Sequence, residues 1–347
     1  MSKEKILGRT GLKVKTLGFG GIPIQRIPEK EAVEVVRRCH EHGLNYYDTA
    51  RGYTNSEERI GKALEDVRDK VLLATKSHQR TAEGIFSELE TSLRNLRTDY
   101  IDVYQLHNVT NMDQWKQIQA EGGALEAVYQ AKEEGRVRHI GVTSHNPDLA
   151  VELAKSGHFE TLMIQYNYII TKPEEAVLPL CRQLNIGTII MKPFGGGAFS
   201  NANTALKYVY NNPYTDLVIP GTLSVAEVDE NMGVWLGDLT ITPQEYELIE
   251  QDRRELGQWF CRGCDYCQPC PQEIPISFIL RAERQMLRRM GWTDSRVESV
   301  KRAKEKLDAC IHCGVCESKC PYELHIQELL PKAMASLWDH MENRTIP

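Results

Sequence analysis

The sequence predicts an α/β chain: a (β/α)8 barrel, the TIM-barrel architecture, over residues 1–256 and a small helical, cysteine-rich domain over residues 257–347. Two observations carry that prediction. Eight strand-like runs alternate with eight helix-like runs in about 220 residues, which implies right-handed crossovers and a parallel sheet. The composition then changes abruptly at Gly257, beyond which lie eight of the ten cysteines.

The elements follow in order. Residues 6–14 read as a hairpin with a glycine turn that lids one end of the barrel. Strand 16–20 precedes helix 29–42, whose Ala32, Val33, Val36 and Cys39 share a face and whose stop is Gly43. Strand 44–48 precedes helix 56–67, strand 71–76 precedes helix 81–96, and strand 101–107 precedes a loop and helix 124–134. Strand 137–143 leads to helix 147–156, strand 162–167 to helix 173–184, strand 187–192 to helix 204–210, and strand 217–219 to helix 225–232. One more helix, 243–256, follows the barrel, within the first domain. The rival architecture, a doubly wound open sheet, would carry Gly-x-Gly-x-x-Gly after its first strand. Gly18-Phe19-Gly20-Gly21 begins that way and fails at Pro23.

Composition narrows the function. A chain with 41% hydrophobic and 26% charged residues suits a soluble globular protein. A formal net charge of −6 argues against nucleic acid as a partner. No apolar run reaches membrane-spanning length, so no membrane is expected. The first residues lack the apolar stretch of a signal peptide, and a cytoplasmic location is expected. In that reducing compartment the cysteines do not read as disulfides. Cys39 and Cys181 stand alone in helical patterns and read as core thiols.

Active sites of such barrels sit at the C-terminal ends of the strands. Asp48 ends the second strand and Tyr53 follows it; Lys76 ends the third and His107 the fourth. A phenol is a useful acid near neutrality only if something lowers its pKa from about 10, and a neighbouring cation does so. Each residue alone has a bland reading: Asp48 as a cap, Lys76 as a surface lysine, His107 as a polar core group. At equivalent strand ends they read together as a site.

The stretches Asp48-Thr49-Ala50-Arg51-Gly52-Tyr53, Thr75-Lys76, Leu106-His107 and Gly141-Val142-Thr143-Ser144 resemble motifs of the aldo/keto reductase family. So do Ile164-Gln165-Tyr166-Asn167, Met191-Lys192-Pro193-Phe194-Gly195-Gly196-Gly197 and Ile219-Pro220-Gly221-Thr222, all in family order. The resemblance implies an NAD(P)H-dependent enzyme that interconverts a small carbonyl, aldehyde or ketone, and an alcohol. It implies Tyr53 as general acid, Lys76 salt-bridged to Asp48 and lowering the Tyr53 pKa, and His107 orienting the carbonyl. It further implies Ser144 and Gln165 on the nicotinamide carboxamide, Gly221 and Thr222 near the phosphates, and Glu230 and Asn231 at the adenine. Two departures stand out. No Lys or Arg occurs from Asp216 to Asn231, whereas Glu227, Asp229 and Glu230 are acidic, so charge repulsion favours NAD(H) over NADP(H). Lys192, with Phe194 two residues on, stands where many members stack an aromatic on the nicotinamide.

The C-terminal cysteines form two near copies. Cys310-x2-Cys313-x2-Cys316-x3-Cys320-Pro321 has bacterial ferredoxin spacing. Cys261-x2-Cys264-x2-Cys267-x2-Cys270-Pro271 is one residue shorter before its fourth cysteine. In that arrangement the fourth cysteine serves the other cluster. The expected sets are Cys261, Cys264, Cys267 and Cys320 on one [4Fe–4S] cluster, and Cys310, Cys313, Cys316 and Cys270 on the other. Structural zinc is the alternative, though it prefers two well-separated cysteine pairs. Residues 276–290 and 294–309 read as helices, like the helical dicluster modules of redox subunits. Arg281, Arg284 and Arg288 share a face that meets solvent or docks an acidic electron carrier.

Two functions compete at this point. The first is the carbonyl/alcohol oxidoreductase, with clusters exchanging electrons with a redox partner protein. The second is an electron-transfer or redox-sensing protein on a nucleotide-binding barrel, for which Tyr53, Lys76 and His107 together would have no purpose.

Overall fold

The computed structural model describes residues 2–199, 201–257, 259–287, 291–320 and 322–346, without the side chains of 284–286. Eight parallel strands lie side by side in sequence order. They are β1 (Phe19–Gly20), β2 (Tyr46–Asp48), β3 (Leu72–Ser77), β4 (Ile101–Leu106), β5 (Val137–Ser144), β6 (Thr161–Gln165), β7 (Gly187–Met191) and β8 (Leu217–Ile219). The sheet closes on itself. Gly18 N donates to Val218 O at 2.9 Å, Val218 N to Thr16 O at 2.9 Å, and Gly20 N to Pro220 O at 3.0 Å. Glycine is required at that seam: a Cβ on Gly20 would stand 2.8 Å from the Pro220 carbonyl oxygen. The barrel prediction therefore holds.

Successive strand residues face opposite ways, and this sorts the core into two layers. Tyr46, Ala74, Val103, Met163, Ile189 and Leu217 fill the interior together with Leu7 and Val14. Tyr47, Leu73 and Tyr104 face outward and join the larger core under the surrounding helices. Leu7 and Val14 come from the expected hairpin, whose strands are Glu4–Ile6 and Lys13–Lys15. It plugs the barrel where the strands begin, with Arg9 N on Asn185 O at 2.7 Å. Two residues on from that apolar plug, the same inward parity falls on Asp48, Lys76 and Gln105, and then on His107. The inner face turns polar at the C-terminal mouth.

A helix follows each strand. The helices begin at residues that satisfy their free N–H groups: Thr81 accepts from Gly84 N, Asn146 from Asp148 N and Leu149 N, and Ser224 from Glu227 N. Some boundaries differ from expectation. The stretch read as loop before helix Ala124–Glu133 contains a second helix, Met112–Gln119, capped by Asn111. The second helix ends at Leu64 and continues as a 3-10 turn, Glu65–Lys70, with Val67 out of helical geometry.

The chain divides into two compact units: one runs to 194 and resumes at 201–242, and the other holds the rest. Helix Pro243–Gly257, read from sequence as following the barrel within the first domain, groups with the second unit. In that unit the expected helix 276–290 is α-helical over Ile276–Arg281 and a π turn over Ala282–Leu287. Arg288 and the Arg284 side chain, members of the proposed basic face, lie outside the described residues. Helices Asp294–Asp308 and Ile326–Glu342 complete the unit around a core of Ile276, Ile279, Val300, Ile326, Leu330 and Leu337. Among the described residues no helix is long and apolar enough to cross a membrane.

Candidate active site and thiol-lined cavities

At the barrel mouth Asp48 and Lys76 are 3% and 2% exposed and form a buried ion pair. Lys76 Nζ also donates to Thr49 O at 2.7 Å, and Gln105 Nε2 donates to the second Asp48 oxygen at 2.9 Å. Burial by itself pulls the Lys76 pKa down; the charges of Asp48 and Tyr53, and hydrogen bonds to both, more than reverse this and leave it raised. The ammonium lies over the Tyr53 ring, 5.1 Å from its centroid. Tyr53 meets His107 edge-on, with ring centroids 5.8 Å apart. The four residues read from sequence as one site are brought together.

His107 is buried, and its Nδ1 has no hydrogen-bond partner among the described residues. Burial, then the charges of His78, Lys76, His145 and Arg80, push its pKa well below the ordinary imidazole value. It is neutral at neutral pH. His78 stacks on it at 3.9 Å between centroids, and Arg80 Nη2 donates to the His107 carbonyl at 2.8 Å. Sequence reasoning missed Gln105, His78 and Arg80. Gln105 was within reach, because it shares the inward parity of His107 on β4.

The residues expected around a dinucleotide fall in different states. Gln165 is buried at the end of β6, and both polar atoms of its amide lack a partner among the described residues. A buried amide with neither donor nor acceptor satisfied costs free energy until something pairs with it, and a carboxamide is its complement. Ser144 is committed locally: its hydroxyl donates to Val109 O at 2.8 Å and accepts from Asn146 N at 3.1 Å. Thr222 and Asn231 are buried side by side, Asn231 Nδ2 on Thr222 Oγ1 at 3.5 Å. Gly221 packs on Pro23, whose Cγ would stand 2.8 Å from an added Cβ. Glu230 is exposed.

The acidic stretch that favoured NAD(H) looks different in three dimensions. Asp229 is paired with Arg38 Nε at 2.8 Å and with His42 Nε2 at 2.7 Å. Glu227 accepts from Leu223 N at 2.6 Å and braces the turn that leads into its own helix. Two of the three charges are thus already engaged, and the repulsion from which a preference for NAD(H) was drawn loses its footing.

In the second unit the thiols ring two cavities. Cys261, Cys264, Cys267 and Cys320 line one; Cys270, Cys310, Cys313 and Cys316 line the other, which Cys267 also borders. Among the described residues no three His, Cys, Asp or Glu donors converge on a single-ion site. The two cysteine loops share one backbone trace. Gly263 and Asp265 are left-handed at φ 69° and 61°, and His312 and Gly314, at the same offsets from the first cysteine, are left-handed at 53° and 73°. Glu273 and Glu323, each three residues past its fourth cysteine, both have φ 53°. Alternating right- and left-handed residues turn successive N–H groups inward as a nest, the usual environment of a bound anionic cluster. Four thiols around each cavity, set in such nests, fit a [4Fe–4S] cluster. By contrast, Cys39 and Cys181 are core thiols that burial pushes up to about 12.

Fold and site together define a barrel oxidoreductase carrying an iron–sulfur domain. The profile of the Aldo/keto reductase family matches residues 16–205, and that of a 4Fe-4S dicluster domain matches residues 260–325. The chain belongs to the aldo/keto reductase family. It is 31% identical over 211 residues to the "Uncharacterized oxidoreductase YqkF" of Bacillus subtilis, covering 57% of this chain and 66% of that protein. It is 32% identical to "Probable aldo-keto reductase 1" of Glycine max, covering 56% and 60%. The chain thus spans less than two thirds of either relative. The solved holo form of aldo-keto reductase AKR11C1 from Bacillus halodurans has a TM-score of 0.64 and 27% identity, covering 72% of this chain and 96% of that one.

Proposed function

We propose that the barrel interconverts a small carbonyl compound and its alcohol, with Tyr53 as the general acid and base. One observation carries the reading: a buried Lys76 that contacts both Asp48 and the Tyr53 ring. A fixed ammonium favours the phenolate, so Tyr53 can give a proton to the carbonyl oxygen and take it back in the reverse direction. Asp48 keeps Lys76 charged and aimed. His107, held neutral, donates a hydrogen bond that orients the carbonyl without competing as an acid. A nicotinamide dinucleotide, when bound, supplies the hydride. Gln165 is proposed to pair with its carboxamide, assisted by Ser144; Gly221 and Thr222 would face its phosphates, and Glu230 and Asn231 its adenine. With Asp229 balanced by Arg38 and His42, the reading covers both NAD(H) and NADP(H).

Following the barrel domain in sequence, proposed as residues 1–256, the domain at 257–347 would hold two [4Fe–4S] clusters on the two cysteine sets. Its electrons would pass to or from a redox protein; the exposed Cys313 beside Ile311, 61% exposed, supports such an exchange. The test of the enzymatic reading is Tyr53→Phe, assayed without oxygen against a carbonyl panel with NADH and NADPH in parallel. Carbonyl reduction should fall by about 10²–10⁴-fold with dinucleotide binding retained. Unchanged reduction in the variant would sink it.

A further inference from the structure

The two thiol-lined cavities are not electrically equivalent. Arg262 lines the cavity of Cys261, Cys264, Cys267 and Cys320. Its guanidinium stacks on Tyr322 at 4.0 Å from the ring centroid, and its buried Nε has no hydrogen-bond partner among the described residues. Arg281, the last residue of helix Ile276–Arg281, lies against the same loop. A Cβ added to Gly263 would stand 1.7 Å from Arg281 Nη1, so only glycine there admits the guanidinium. Among the described residues that line this cavity, Asp265 is the one carboxylate. The other cavity has no lysine or arginine among the described residues that line it, and His312 is its only such titratable group besides the thiols.

Reduction adds one negative charge to a cluster that four thiolates already make anionic. Burial opposes that added charge, and Cys261 and Cys267 are buried whereas Cys313 is exposed. A fixed cation nearby favours it. Arginine stays protonated at any ordinary pH, so both guanidiniums bring fixed positive charge to the loop that carries Cys261 and Cys264. We infer that Arg262 and Arg281 hold up the reduction potential of the Cys261/Cys264/Cys267/Cys320 cluster against its burial, and leave the second cluster untouched. The inference rests on the proposed thiolate ligation.

The test uses the full chain, reconstituted anaerobically and titrated potentiometrically with EPR detection. Wild type, Arg262→Gln, Arg281→Gln and Arg281→Lys are compared, with iron and sulfide content confirming both clusters in each. Cys313→Ser marks the signal of the second cluster by altering it. Each glutamine variant should move only the unmarked wave to lower potential, by at least tenfold in the one-electron equilibrium, or about 59 mV. Arg281→Lys should restore most of that shift. Waves that move together, do not move, or move only in the marked signal overturn the inference while leaving ligation intact. Wild type with no iron–sulfur signal overturns ligation and the inference with it.

Discussion

At the scale of single residues, the barrel mouth is organised around one buried charge pair. Replacing Asp48 by Asn removes one partner and leaves the Lys76 ammonium in a site 2% exposed, with Thr49 O as a weak substitute. Stranding a buried charge costs about 3–5 kcal/mol, which urea unfolding of Asp48→Asn should register against wild type. Gln165→Leu makes the opposite expectation. It removes two unsatisfied polar atoms, so stability should hold or rise, while dinucleotide affinity measured by fluorescence quenching should drop. Asp48, Lys76 and His107 were legible because ionisable groups at consecutive strand ends of a barrel have few bland explanations. The engagement of Asp229 was not. Its partner Arg38 is 191 residues away, and the closed barrel alone brings the helices that carry them together.

At the scale of elements, Glu160 ties the start of β6 to its neighbours. It accepts from Lys132 Nζ at 2.6 Å and Ile140 N at 3.0 Å, and pairs with His139 Nδ1 at 2.8 Å. Burial raises its carboxyl pKa, but His139, Lys132 and the Ile140 amide reverse this and hold it at about 2. Unfolded, it titrates near about 4.3. The unfolded chain therefore binds more protons between those values; the stability from Glu160 is present above about pH 4.3 and is lost as pH falls toward 2. Glu160→Gln should flatten that acid limb in denaturation measured against pH. Gly8→Ala tests the hairpin plug. Gly8 has φ 53°, and a Cβ there would meet the Gly187 backbone nitrogen at 2.1 Å. The backbone must shift, and the loss should exceed the roughly 1–3 kcal/mol of an ordinary strained residue, read as a lowered Tm. Strands were well placed in the sequence because each is a short apolar run between helices. Helix Met112–Gln119 was missed although Asn111 caps it and Trp115 and Ile118 are buried three residues apart; eight polar-rich residues look like loop until something covers that face.

At the scale of the whole molecule, the second unit has a modest core whose members include the cysteines themselves. Metal binding in such units is folding free energy. Chelation of iron under air should strip protection from helices Ile276–Arg281 and Ile326–Glu342 in hydrogen exchange read by mass spectrometry, while peptides from β4 and β5 keep theirs. Protection retained in those helices would mean that the core holds without the clusters. The repeated cysteine spacing made this unit legible as a duplication, and the matched left-handed residues give that duplication a backbone form. What the spacing could not convey is the unequal placing of arginines around the two halves, because Arg281 reaches its loop from a helix that begins beyond the first four cysteines.

The seam between β1 and β8 also governs the order of events during synthesis. On its open side the first strand waits for residues 218–220, which meet Thr16 O, Gly18 N and Gly20 N, and Arg9 N waits for Asn185 O. A ribosome adding about 5–20 residues per second leaves that side of the first strand unpaired for on the order of ten seconds or more before β8 exists. Throughout that interval the nascent barrel is an open sheet with two raw edges, the state in which strands pair with the wrong chain. The polar mouth forms early, on β2 to β4, while the base stays open. Chaperone dependence should therefore track the interval between residue 20 and residue 220, and a circular permutant that makes those strands consecutive should shorten it.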